Sequence, residues 1–326
     1  MHSITRRLAI SIAAAVWSTA VSAQTYPTKP ITLVVPFAAG GPSDTIARMV
    51  GLKMGEALGQ QLIIENIAGA GGTIAADRVS KTTADGYTLL IHHIALPLGA
   101  SLYKNLKYDT ATAFDLLGLI NTGPYVLTTK LDYPANSPAE LFAALKARPN
   151  NTFAHAGVGS GSHLCGLMLM QALGFGADFV AYRGTGPALN DVVAGHVDVL
   201  CDQTTNTFPQ IAEKKIKAFA ITSKERAAAF PDLPTTAEVG LPDIDVAVWH
   251  ALYAPKGLPA DVTARVTGAL EKALSDPLLL ERFTQLGTFL FPAGKRGPEA
   301  HRAKFDAELE RLKQIVAKAG IATEAK

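Results

Sequence analysis

Short apolar runs alternate with amphipathic stretches along this chain, and one arrangement of them occurs twice. In the first copy Ile31-Thr32-Leu33-Val34-Val35-Pro36-Phe37 runs into the small-residue loop Ala38-Ala39-Gly40-Gly41-Pro42-Ser43-Asp44, and a helix opens at Thr45. A second strand at 62–66 leads to the loop Ala68-Gly69-Ala70-Gly71-Gly72, and a third spans 87–92. The second copy has a strand at 152–156 with the loop Gly157-Val158-Gly159-Ser160-Gly161-Ser162, then 178–182 with Arg183-Gly184-Thr185-Gly186, then 197–202. Apolar runs rich in β-branched residues and closed by glycine carry the signature of strands.

Strands alternating with helices predict two like α/β lobes with mostly parallel sheets, which bind ligands beyond the carboxyl ends of their strands. The glycines fall at those ends. A helix N-terminus offers unpaired N–H groups and a partial positive charge, so a loop without Cβ atoms there is an anion cradle. Two cradles facing each other across a cleft would hold a small anion.

The lobes are expected to interleave. The first would run over 24–124, and the chain would cross at Tyr125-Val126-Leu127-Thr128 into an inserted lobe, 125–245. It would return near Val246-Ala247-Val248-Trp249-His250, and 246–326 would complete the first lobe. Helices are predicted to start at Pro259-Ala260-Asp261 and Gly297-Pro298-Glu299, because proline suits the first helical turn. In the last helix Phe305, Leu309, Leu312 and Val316 recur at helical spacing with charges between them, so this stripe should pack on a lobe.

The chain opens with Arg6 and Arg7, a short apolar run from Leu8 to Trp17, and Val21-Ser22-Ala23 before Gln24. This reads as a secretory signal, 1–23, cleaved after Ala23 for export to the periplasm; its apolar run is too short to span a membrane. Loss of Arg6 and Arg7 leaves 28 basic against 28 acidic residues. A balanced charge without a basic run argues against nucleic acid or an anionic membrane surface as partner. Cys165 and Cys201 are the only cysteines. An oxidising compartment permits a bond between them, worth roughly 3–4 kcal/mol in the chain-entropy model. The alternative is two small buried hydrophobes.

Enzymatic readings fare poorly. A nucleophile elbow needs Gly-x-Ser-x-Gly, but Ser160 is flanked by Val158 and Ser162 at the glycine positions. Ser162 also replaces the third glycine of a dinucleotide fingerprint, and no phosphate-loop lysine follows any glycine loop. His92 and His93 are adjacent on a strand and so point to opposite faces, which speaks against a shared metal ion; one should bond a ligand and the other pack. Arg183, at a strand end before Gly184, could grip a carboxylate in bidentate fashion, or could be an ordinary surface arginine. Asp202 is similarly ambiguous, and Asp44 could simply cap its helix.

These residues resemble the extracytoplasmic solute receptors of tripartite tricarboxylate transporters, the Bug receptors. The resemblance rests on Tyr26-Pro27-x-Lys29-Pro30-Ile31, Val35 through Asp44, Asn66-x-x-Gly69-Ala70-Gly71-Gly72, Asp85-Gly86-Tyr87-Thr88-Leu89-Leu90, Tyr182-Arg183-Gly184-x-Gly186-Pro187-Ala188-Leu189 and Ala254-Pro255-x-Gly257-Leu258-Pro259. It implies an α/β, two-lobed periplasmic binding protein of type II that closes like a flytrap on a small carboxylate, for uptake by the transporter's membrane subunits. It also implies a first-lobe cradle of Phe37, Ala38, Ala39, Gly40, Gly41 and Ser43, with Ser160, Ser162, Tyr182, Arg183 and Asp202 opposite; His92, His93 and His163 complete the candidate set. Ala181-Tyr182-Arg183-Gly184 stands where the family usually has Pro-Tyr-Lys-Gly, and His92-His93 where small polar residues are usual, so the distal pocket differs. An aromatic or aliphatic dicarboxylate is the expected ligand, with no catalytic residue, metal or cofactor. A secreted enzyme using the same cleft, or a receptor with a signalling partner, are the alternatives.

Overall fold

The computed structural model describes residues 26–148 and 150–318; the export segment and its cleavage site lie outside the described residues. The strands are β1 (Ile31–Val35), β2 (Leu62–Asn66), β3 (Thr88–His93), β4 (Phe114–Lys130), β5 (Thr152–His155), β6 (Asp178–Ala181), β7 (Val199–Gln203), β8 (Ile216–Ile221), β9 (Ala247–Pro255) and β10 (Phe289–Leu290). The helices are α1 (Pro42–Leu58), α2 (Thr73–Ser80), α3 (Ala95–Leu102), α4 (Pro138–Ala147), α5 (Gly161–Leu173), α6 (Thr185–Val193), α7 (Thr204–Ala212), α8 (Ala260–Leu274), α9 (Pro277–Gln285) and α10 (Pro298–Lys318).

Each half has its parallel strand triplet. In the first, β1 lies between β2 and β3; in the second, β5 lies between β6 and β7. The long strand β4 joins them. Up to Pro124, which faces Ala247, it pairs antiparallel with β9; from Tyr125, which faces Gln203, it pairs with β7 and β8. The portion of β4 before Pro124 was not legible as a strand, because Gly118, Asn121 and Gly123 interrupt its apolar run and the register against β9 shifts twice. The result is a two-lobed mixed α/β fold.

Apolar residues of β1 (Ile31, Leu33, Val35) pack with Ile46, Val50 and Met54 of α1 and with Val266 and Leu270 of α8. α1 forms as its ends dictate: proline occupies its first turn, Asp44 favours the positive terminus, and Gly59 closes it at φ 74°. In the second half Phe153, Leu164 and Leu169 form the core beside a disulfide between Cys165 of α5 and Cys201 of β7, whose Cα atoms are 6.1 Å apart. On α10, Phe305, Leu312 and Val316 are buried and Leu309 is half-buried.

Candidate functional site

Four helices begin at one cleft between the halves. Their N-caps are Gly41 for α1, Ser160 for α5, Gly184 for α6 and Gln203 for α7. Between them lies a small cavity, about 10 Å³ of space open to the centre of a water molecule, lined by Phe37, Gly41, Pro42, Ser43, His93, Tyr125, Ala156, Ser160, Gly161, Ser162, Thr185, Asp202 and Gln203. Each helix N-terminus contributes unpaired N–H groups and a partial positive charge, so their convergence favours an anion.

The two halves touch around this cavity. Ala38 donates its N–H to the Arg183 carbonyl at 2.9 Å, and the Tyr103 hydroxyl donates to the Val158 carbonyl at 2.8 Å. Gly186 approaches Gly41 so closely that a Cβ at Gly186 would lie 2.8 Å from the Gly41 nitrogen. Gly71, at φ 60°, meets the Val158 carbonyl with no room for a side chain. A space this narrow admits a ligand only if the halves separate.

Asp202 is completely buried, and burial pushes its carboxyl up to about 6 against the opposing pull of Asn206, the Gln203 N–H and Thr185. Its Oδ2 accepts from Asn206 Nδ2, while Oδ1 has no protein partner. The Tyr125 hydroxyl and Gln203 Oε1 are likewise buried without a partner. Buried polar atoms are normally satisfied, and three such atoms on residues lining one cavity are a mark of a ligand site.

Across the cavity Ser43 Oγ is 3.0 Å from His250 Nε2, and Phe37 stacks on His93 with ring centroids 4.7 Å apart. His93 Nδ1 accepts from the Ala95 N–H at 3.0 Å. Burial holds His93 and His250 well below the ordinary histidine range, His250 at about 3, so both are neutral at physiological pH. In the other half Ser160 Oγ caps α5 through the His163 N–H, Ser162 Oγ accepts from the Ala156 N–H at 2.9 Å, and the two hydroxyls are 3.1 Å apart. Among the described residues no group of three or more His, Cys, Asp or Glu is placed to hold a metal ion.

Of the residues singled out from sequence, Phe37, Gly41, Ser43, His93, Ser160, Ser162 and Asp202 line the cavity. Others sit elsewhere. Arg183 is exposed and bridges the halves through its carbonyl, which accepts the Ala38 N–H. The Tyr182 hydroxyl donates to Asp191 at 2.6 Å, which ties the ring to α6. His163 packs against His155 and Phe179, and His92, on the opposite strand face from His93, lies against Gly72. Ala38 is half-buried, and Ala39 and Gly40 are exposed, outside the lining. Pro42, Tyr125, Ala156, Gly161, Thr185 and Gln203 were missed. Their positions at helix starts and at the β4 crossing were the available signal.

Fold and site together define a two-lobed solute-binding protein with four helix N-termini at its cleft. Residues 46–321 match the model of the tripartite tricarboxylate transporter family receptors, TctC. The chain belongs to that family, whose members are periplasmic solute-binding receptors and not enzymes. The periplasmic binding protein BugD is similar in structure, with TM-score 0.89 and 40% identity over 91% of this chain and 99% of that one. MatC from Rhodopseudomonas palustris, solved with bound malate, gives TM-score 0.86 and 36% identity over 89% of this chain and 100% of its own. Rpa4515 of R. palustris, solved with adipate, gives 0.86 and 30% over 91% and 99%.

Proposed function

We propose that this receptor captures a small aliphatic or aromatic dicarboxylate in the periplasm and delivers it to the membrane subunits of a tripartite tricarboxylate transporter. The observation that carries the reading is the convergence of four helix N-termini on one cavity. The malate and adipate held by similar structures point the same way. On this reading the signal is cleaved after Ala23, and 125–245 moves as an inserted lobe against 24–124 together with 246–326. The β4 and β9 crossings would act as the hinge, since closure concentrates dihedral change at a few crossing positions. One carboxylate end would sit on the N–H groups near Gly41, Ser43, Gly161 and Thr185.

Native mass spectrometry of protein purified from periplasm, followed by release and identification of its ligand, tests this. The expected result is one small carboxylic acid per chain, returned unchanged after incubation with fresh protein. Conversion of the acid to a product, or a retained ligand without a carboxyl group, would overturn the reading.

A further inference from the structure

Asp202 does not fit a site that recognises carboxylates alone. A carboxylate cradle needs donors, yet this cavity also presents an acidic side chain at 0% exposure. Among the described residues Asp202 forms no ion pair with Lys or Arg, and its side chain accepts a hydrogen bond only from Asn206. The other titratable groups lining the cavity are Tyr125, which faces Gln203 in the β4–β7 register, and His93, which burial holds neutral. A buried carboxylate without a cation is costly unless each oxygen finds a donor. Oδ2 has Asn206; Oδ1 has none from the protein.

We propose that Asp202 selects carboxylates that carry a hydroxyl or ammonium group on the carbon skeleton, which donates to Asp202 Oδ1. The cavity is then divided by chemistry. Helix N-termini and Ser43 take the ligand's carboxylate, and Asp202 with Gln203 Oε1 takes its donor. The Tyr125 hydroxyl, buried and unpartnered beside them, can accept from the same donor or bond the adjacent carboxylate. Because Asp202 is acceptor-only when ionised, a ligand lacking the donor leaves Oδ1 desolvated and unpaired. Sites built around a polar group discriminate strongly against an analogue that lacks its partner.

This inference rests on the carboxylate-receptor reading, and matched ligands separate the two. The probes are succinate, malate and aspartate, then glutarate, 2-hydroxyglutarate and glutamate, each titrated calorimetrically into ligand-stripped protein. The donor-bearing acids should bind at least about tenfold tighter than the unsubstituted acid of the same length, as loss of a charged hydrogen bond implies. In Asp202→Asn, which keeps the shape, that ratio should fall toward one while the unsubstituted acids bind as well or better. Equal affinities within a pair for the wild-type protein would overturn this inference and leave the receptor reading standing. An unchanged ratio in Asp202→Asn would also overturn it. Failure of every carboxylate to bind would overturn both. Comparing the hydroxy and amino acids tells which donor the site takes.

Discussion

Gly161 and Tyr125 compete for one space: a Cβ added to Gly161 would overlap the Tyr125 hydroxyl oxygen. Gly161 opens α5, and at an open helical position glycine-to-alanine would stabilise by about 0.5–1 kcal/mol. Here the sign reverses. Gly161→Ala should destabilise by about 1–3 kcal/mol through overpacking and weaken ligand binding by displacing Tyr125. Thermal melts of Gly161→Ala, Tyr125→Phe and the double variant check this. The penalty should shrink in the double variant, and strict additivity would exclude the steric account.

Gly186 and Gly41 place a second contact across the cleft. A Cβ at Gly186 meets backbone of the other half, which cannot swing aside as a side chain would. Gly186→Ala should therefore leave the melting temperature nearly unchanged while weakening carboxylate binding about tenfold or more, roughly 1.4 kcal/mol. Calorimetry and a thermal scan on one preparation measure both; a large loss of stability with intact affinity would contradict it.

Much of this was legible beforehand. Strands β1, β2, β5 and β6 are apolar runs that lead into glycine loops, and Gly41, Ser43, Ser160 and Ser162 stand at helix starts, the places where an anion cradle is expected. Alternation along β3 showed that only one of His92 and His93 could face a ligand; choosing His93 required the register against β9. Tyr125 reads as an ordinary core residue, and its hydroxyl reaches the cleft only because β4 changes partners at that position. The bond from the Ala38 N–H to Arg183 was not legible in the sequence, because it is accepted by a backbone carbonyl, which any residue carries.

Stability should fall on acidification. Burial depresses His92 and His163 to about 4 and His250 and His301 to about 3, from an ordinary 6.5. Below 6.5 the unfolded chain takes up protons that the folded one refuses, so each such histidine removes up to about 1.4 kcal/mol per pH unit. Asp202 has the opposite sign. Its folded value of about 6 exceeds the ordinary 3.8, so its charged form penalises the fold above pH 6 and the penalty fades as pH falls toward 4. Melts at pH 7.5 and 5 should show lower stability at pH 5. Asp202→Asn should raise stability at pH 7.5 by up to about 3 kcal/mol, and by less at pH 5; an equal gain at both would refute the assignment.

The Cys165–Cys201 disulfide spans a sequence separation of 36. In the chain-entropy model a loop of that size contributes about 4 kcal/mol by restricting the unfolded chain. Replacing both cysteines by serine should lower unfolding free energy by that order, read from denaturant titration. Equal stability of oxidised and reduced wild-type protein would show that the bond contributes nothing.

The central claim is that two lobes close on a small carboxylate held between Gly41, Ser43, Gly161 and Thr185. Small-angle scattering of ligand-stripped protein, with and without a saturating carboxylate that calorimetry shows to bind, tests it most directly. The account predicts a fall in the radius of gyration on binding, and no such fall in Gly186→Ala at the same saturation. Saturating ligand with an unchanged radius of gyration in the wild-type protein would contradict it.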